Sequence, residues 1–174
     1  MVGEIFLESV LKEFHDYKKL GDKTFVQLEE KDFHFQPNQE CNSIAIIIQH
    51  LHGNMLSRWT NFLTEDGEKE WRKRDDEFEV HNFNKEQLIQ LWEEGWQLAI
   101  NTLQSLKEDD LAKTIFIRTK SYSVIAAINR QLSHYASHVG QIILLGKIIK
   151  GAGWQTLSIP RGKSATFTDK MMKK

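Results

Sequence analysis

The chain has 174 residues, 40% hydrophobic and 27% charged, enough for one globular domain with a sizeable core but not for two. Its 23 Lys and Arg are balanced by 24 Asp and Glu, mixed along the sequence, which argues against the basic stripe of a nucleic-acid binder and against an anionic-membrane binder. No apolar run approaches the roughly 20 residues of a membrane span. The opening Met1-Val2-Gly3-Glu4 lacks the basic region of a secretory leader, and the single Cys41 cannot close an internal disulfide, so a cytoplasmic protein is expected.

From the start of the chain, Phe6, Leu7, Val10, Phe14, Tyr17, Phe25 and Leu28 recur at three- and four-residue steps over residues 3–30. That spacing predicts an amphipathic helix with a charged outer face, interrupted near Gly21. Residues 31–40, holding Pro37 and Asn38, read as a loop. Asn42 and Ser43 are good N-caps for a second helix reaching about residue 64, and Arg58 is the one charged side chain between 42 and 64. A helix without a charged face is usually buried. Residues 65–82 form a strongly charged connection, long for a compact domain and therefore a candidate for function or disorder; Trp71 and Phe78 within it favour a folded-down course.

A third helix opens on Asn84 and Gln87, a capping-box pair, and carries Leu88, Trp92, Trp96, Ala99, Leu103 and Leu106 on one stripe. Alternation over residues 114–119 predicts a short strand or extended connection. A fourth helix, from about Ser121 to Lys150, stops at Gly151-Ala152-Gly153, and its only charge before Gly146 is on Arg130. Residues 154–174, with Trp154, Leu157, Ile159 and Pro160, are expected to drape over the helices and fray at Lys173-Lys174. The pattern predicts one all-α domain over 1–174, a four-helix bundle with helices two and four supplying most of the interior. Trp59, Trp92 and Trp96, at helical spacing, are expected in the core rather than on a ligand platform.

Of the seven histidines, His134 and His138 are spaced i, i+4 in the charge-poor fourth helix, which puts both imidazoles on one face, one turn apart, as two ligands of one metal require. The same spacing also suits two hydrogen-bonded core histidines. A third ligand would come from the other charge-poor helix, in Gln49-His50-Leu51-His52-Gly53-Asn54. The helical wheel leaves two candidates: His52 lies nearer the apolar stripe, whereas His50 shares a small polar stripe with Ser43, Asn54, Ser57 and Asn61, which favours it. Three imidazoles leave open positions, the layout of a catalytic rather than a structural zinc site, and imidazole also suits nickel, copper and iron. His15, His34 and His81 are expected in solvent, and Cys41 reads as a small buried hydrophobe because no base stands beside it.

With a histidine in helix two and an HxxxH in helix four, the chain resembles the DinB-like superfamily of four-helix bundles, which includes the bacillithiol S-transferases and the mycothiol-dependent maleylpyruvate isomerase. The closer similarity, to an uncharacterised bacterial branch, rests on several segments taken together. These are Asn42-Ser43-Ile44-Ala45, His50-Leu51-x-Gly53-Asn54, Asp66-Gly67-Glu68-Lys69-x-Trp71-Arg72, Arg130-Gln131-Leu132-x-His134-Tyr135-x-x-His138-Val139-Gly140-Gln141 and Ser158-Ile159-Pro160-Arg161-Gly162. The resemblance implies a DinB-like bundle, commonly a homodimer, with His50, His134 and His138 holding a divalent metal: zinc or nickel first, manganese or iron next. It favours His50 over His52.

The leading expectation is a transferase that brings a low-molecular-weight, bacillithiol-type thiol to an electrophilic small molecule, with Asn54, Arg130 or Gln141 orienting the substrate. The ordinary roles are a rim ion pair for Arg130 and a hydrogen bond to a histidine ring for Gln141. A metal-dependent hydrolase is the second expectation, weakened because no carboxylate falls inside helices two or four to act as base. The third is a non-catalytic stress-response or interaction bundle, in which residues 65–82 serve a partner, and Arg161 sits in a surface turn.

Overall fold

The computed structural model describes residues 2–172. Its framework is four long helices, α1 (Val2–Phe25), α3 (Ile44–Trp59), α4 (Lys85–Ser105) and α5 (Val124–Lys150), with the short α2 (Glu30–Phe33) and a C-terminal α6 (Ser164–Met172). The all-α expectation holds in its main part: this is a helical bundle. A two-stranded antiparallel hairpin, β1 (Thr114–Ile117) and β2 (Lys120–Ser123), is added ahead of α5. Among the described residues no helix is long and apolar enough to cross a membrane.

Sequence signals set the helix starts. The Ser43 hydroxyl accepts from the Ile46 N–H at the head of α3, the Ser123 hydroxyl caps α5 at Ala126, and Asn84 and Gln87 form the expected reciprocal capping box on α4. α3 is buried on nearly every side, as its lack of charge implies, and packs along α4 and α5, while α1 covers α5 and α4. One apolar cluster joins them around Phe14, Ile48, Leu51, Trp59, Trp92, Trp96 and Tyr135, so the three tryptophans are core residues.

Several expected boundaries move. α1 runs unbroken through Gly21, where a Cβ would stand 2.3 Å from the Trp92 ring; the glycine serves close helix packing, not an interruption. α1 then ends at Phe25 instead of near residue 30, and α2, nucleated by a capping box between Glu29 and Asp32, takes up the start of the expected loop. α3 stops at Trp59, short of residue 64, because Thr60 turns extended and Asn61 adopts a left-handed φ of 51°. Residues 121–123, expected to begin the last helix, are instead the second strand of the hairpin. After α5, the backbone of Gln155 exchanges two hydrogen bonds with the Gln27 side chain, and Trp154 lies over Gly146, so the start of the tail is tied to the bundle, whereas residues 158–168 are exposed. The fray expected at Lys173-Lys174 lies outside the described residues.

Candidate metal centre

α3 and α5 meet at a hydrogen-bonded chain of three side chains. The Trp59 indole N–H donates to the Tyr135 hydroxyl (2.9 Å), which donates to Asn54 Oδ1 (3.1 Å). Burial pushes the Tyr135 pKa upward, so the hydroxyl keeps its proton and remains a donor. Asn54 is one turn from His50 and Tyr135 adjoins His134, so this chain sets the register that brings the histidines together.

The Nε2 atoms of His50 and His134 are 3.2 Å apart, and those of His138 and His134 are 3.1 Å apart. A ligand atom from each of the three rings lies within 4.8 Å of the others, with no cysteine or carboxylate joining the group among the described residues. Two nitrogens each about 2.0–2.1 Å from one tetrahedral ion would stand roughly 3.3 Å apart, so both spacings to His134 match what a cation needs. Protons alone fit the arrangement poorly. His50 Nδ1 is 2.9 Å from Glu77 Oε2, and His138 Nδ1 is 2.8 Å from Gln141 Oε1; both oxygens accept, so both Nδ1 atoms carry the hydrogen. The two Nε2 lone pairs then face one His134 Nε2, which offers a single N–H for both. A cation serves all three.

Burial, then the neighbouring His138 and His50, push the His134 pKa down to about 3. Burial and His50 also lower His138, against the hydrogen bond it donates to Gln141. Both rings are therefore neutral near pH 7, the form that binds metal. The His134 Nδ1 is buried with no hydrogen-bond partner.

Glu77 was not reachable from the sequence. It sits in a single 3₁₀ turn (Asp75–Phe78) within residues 65–82, where Glu77 and Phe78 fold down onto His50 as expected, whereas Trp71 is 56% exposed. Burial pushes the Glu77 carboxyl up, but the His50 bond and a two-pronged ion pair from Arg72 (2.7 and 2.9 Å) outweigh it and leave the pKa low. Phe78 stacks on His50 with ring centres 4.8 Å apart, and the Arg74 guanidinium lies 5.1 Å over Phe78. The only advance signals were the length of the connection and its aromatic Phe78. A carboxylate therefore does reach the site, but from the loop and not from helices two or four.

The remaining candidates divide. Gln141 takes its ordinary role, accepting from the His138 ring. Asn54 and Arg130 line a cavity of about 250 Å³ beside His50 and His134. That cavity is otherwise walled by Arg58, Arg72, Arg74 and Arg118. His52 pairs instead with Glu94 on α4 (3.1 Å), so of the two it is His50 that joins the cluster. His15 and His34 are exposed and His81 half-buried. Cys41 is half-buried in a separate groove beside α5, and Arg161 is exposed.

Residues 1–163 match a family described as "Protein of unknown function (DUF1572)". No curated protein matches the chain. The three-histidine helical bundle described above therefore belongs to the DUF1572 family.

Proposed function

We propose that this chain is a DinB-like, metal-dependent transferase: His50, His134 and His138 hold one divalent cation, and a small thiol is transferred to an electrophilic small molecule. The carrying observation is the 3.1–3.2 Å spacing of the Nε2 atoms with no protein sulfur or carboxylate among them, which leaves positions for outside ligands. Three imidazoles suit zinc or nickel before manganese or iron. A cation held there supplies Lewis acidity and lowers the pKa of a thiol brought to it.

The chain's own residues do the rest. Glu77 and Gln141 fix the tautomers of His50 and His138, and Arg72 holds Glu77 in place. Asn54, its carbonyl already engaged by Tyr135, has its amide N–H groups left to orient a substrate. In the reaction the thiol gives its proton to solvent, sulfur bonds to the electrophilic carbon, and the leaving group departs with the electron pair of the broken bond. Both Glu77 oxygens are committed to His50 and Arg72, so the site lacks a free base. That favours a nucleophile that ionises readily: a free thiol titrates near 8.5, whereas water needs far more help.

Elemental analysis of untagged protein tests the site. About one divalent ion per chain is expected in the wild type and none in His134→Ala/His138→Ala; equal metal content in both would overturn it. If the loaded protein conjugates a bacillithiol-type thiol to none of a panel of electrophiles, the transferase reading fails and the metal site stands.

A further inference from the structure

The cavity beside His50 and His134 is walled by five arginines, Arg58, Arg72, Arg74, Arg118 and Arg130, and no carboxylate lines it. Two carboxylates lie close behind the wall. Glu68 Oε2 is shared among Arg58 (3.0 Å), Arg118 (2.8 Å) and Arg72 (3.7 Å), and Glu77 pairs with Arg72. Arg74 has only Asp75 at 3.8 Å, fully in solvent, and Arg130 has no ion pair among the described residues. Five guanidinium charges against two carboxylates behind the wall and a third, Asp75, in solvent leave an excess of about two to three positive charges before any metal is counted.

The side chains of two of the five arginines are themselves buried and leave donors unused. The side chains of Arg58 and Arg72 are 3% and 2% exposed, and Arg58 Nε and Arg72 Nη1 are buried without a hydrogen-bond partner. Orphaned donors of this kind are costly in a native protein, and both belong to guanidinium side chains that line the cavity. Burial and the adjacent Arg72 lower the Arg58 pKa, with Arg130 adding to the effect; the guanidiniums repel one another across the space. An arginine fork matches carboxylate and phosphate oxygens two at a time.

We propose that this cavity binds the anionic end of the substrate, a compact dianion of the phosphate-monoester or dicarboxylate class, and thereby aims its reacting atom at the three histidines. The inference rests on the metal-dependent reading above and supplies its substrate class. Arg58 and Arg72 form the preorganised floor, held by Gly67 O, Ser57, Glu68 and Glu77, whereas Arg74, Arg118 and Arg130 form the solvent-facing rim. At about 250 Å³ the space holds a small headgroup, not a polymer.

Calorimetric titration of the metal-loaded protein with inorganic phosphate and, separately, with succinate at low ionic strength tests this. Binding of one anion per chain is expected, weakening with added salt. Arg74→Gln/Arg130→Gln, two exposed positions where the fold tolerates change, should weaken it about tenfold while metal content stays at the wild-type level. The metal-free His134→Ala/His138→Ala protein should still bind the anion, more weakly. Phosphate alone, or succinate alone, identifies which dianion the cavity takes. No binding of either, or binding unchanged in the arginine variant and lost with the metal, would overturn the proposal. Metal content, read separately, reports on the histidine site, so the two failures are distinguishable.

Discussion

Around Phe14, the rings of Trp59, Trp96 and Tyr135 stand edge-on with centres 5.7, 6.0 and 5.7 Å away. Beside them on α3 and α5, His50, His134 and His138 crowd their nitrogens together beneath a wall of arginine. The first region draws its stability from apolar area removed from water, and the Trp59 N–H finds the Tyr135 hydroxyl, although the Trp96 N–H is buried without a partner. The second gathers several donors and lone pairs that no described residue completes, on side chains that line a cavity. One region therefore supplies folding energy, and the other spends some of it on preorganised binding. Substitutions in the two should separate stability from ligand affinity.

The sharpest break is Phe14→Ala. Phe14 is fully buried and touches three of the largest core side chains, so its loss leaves a cavity the neighbours cannot close. A destabilisation of about 3–5 kcal/mol is expected by urea unfolding. Metal affinity of the folded fraction should be unchanged, because Phe14 touches no ligand ring. A parallel loss of metal binding in protein still folded by circular dichroism would mean that the two regions are not separable.

Glu77→Gln probes the other region. The amide can still accept, yet it withdraws the charge that polarises His50 and that Arg72 pairs with. Metal affinity, measured by competition with a chelator, should fall about 10–100-fold. Unchanged affinity would reduce Glu77 to a clamp on the loop.

The same contrast explains what could be read from the sequence. The helices, their caps and the core stripe follow from local spacing, because Phe14, Trp92 and Trp96 are buried by the periodicity of their own segments. His134 and His138 were legible for the same reason: a helix converts four residues of sequence into one turn of space. His50 needed the polar stripe as well. Glu77, Arg72 and Arg74 lie in a connection whose charges alternate without period, and nothing local says which of them turns inward. The hairpin was half seen for a related reason. Its two-residue turn, Arg118-Thr119, has none of the glycine or asparagine that normally marks a turn with positive φ at both positions.

That turn is held from outside its own segment, which makes it the finest test of the contrast. Arg118 and Thr119 have φ of 53° and 63°, a conformation that costs residues with a Cβ some strain. Asp66 offsets it by accepting from both backbone N–H groups, at 2.9 and 2.8 Å, and also from Glu68 N at 2.7 Å. Asp66→Ala should therefore cost about 1–2 kcal/mol of stability in a urea titration. Thr119→Gly in the same background should recover part of the loss, because glycine enters the left-handed region without strain. Metal affinity should stay at the wild-type value, since the hairpin reaches the cavity only through Arg118 and touches no histidine. Anion binding should weaken slightly as Arg118 loses its fixed place on the rim. A drop in metal affinity with the hairpin loosened would show that the loop carrying Glu77 is held down from the hairpin side and not from its own bond to His50.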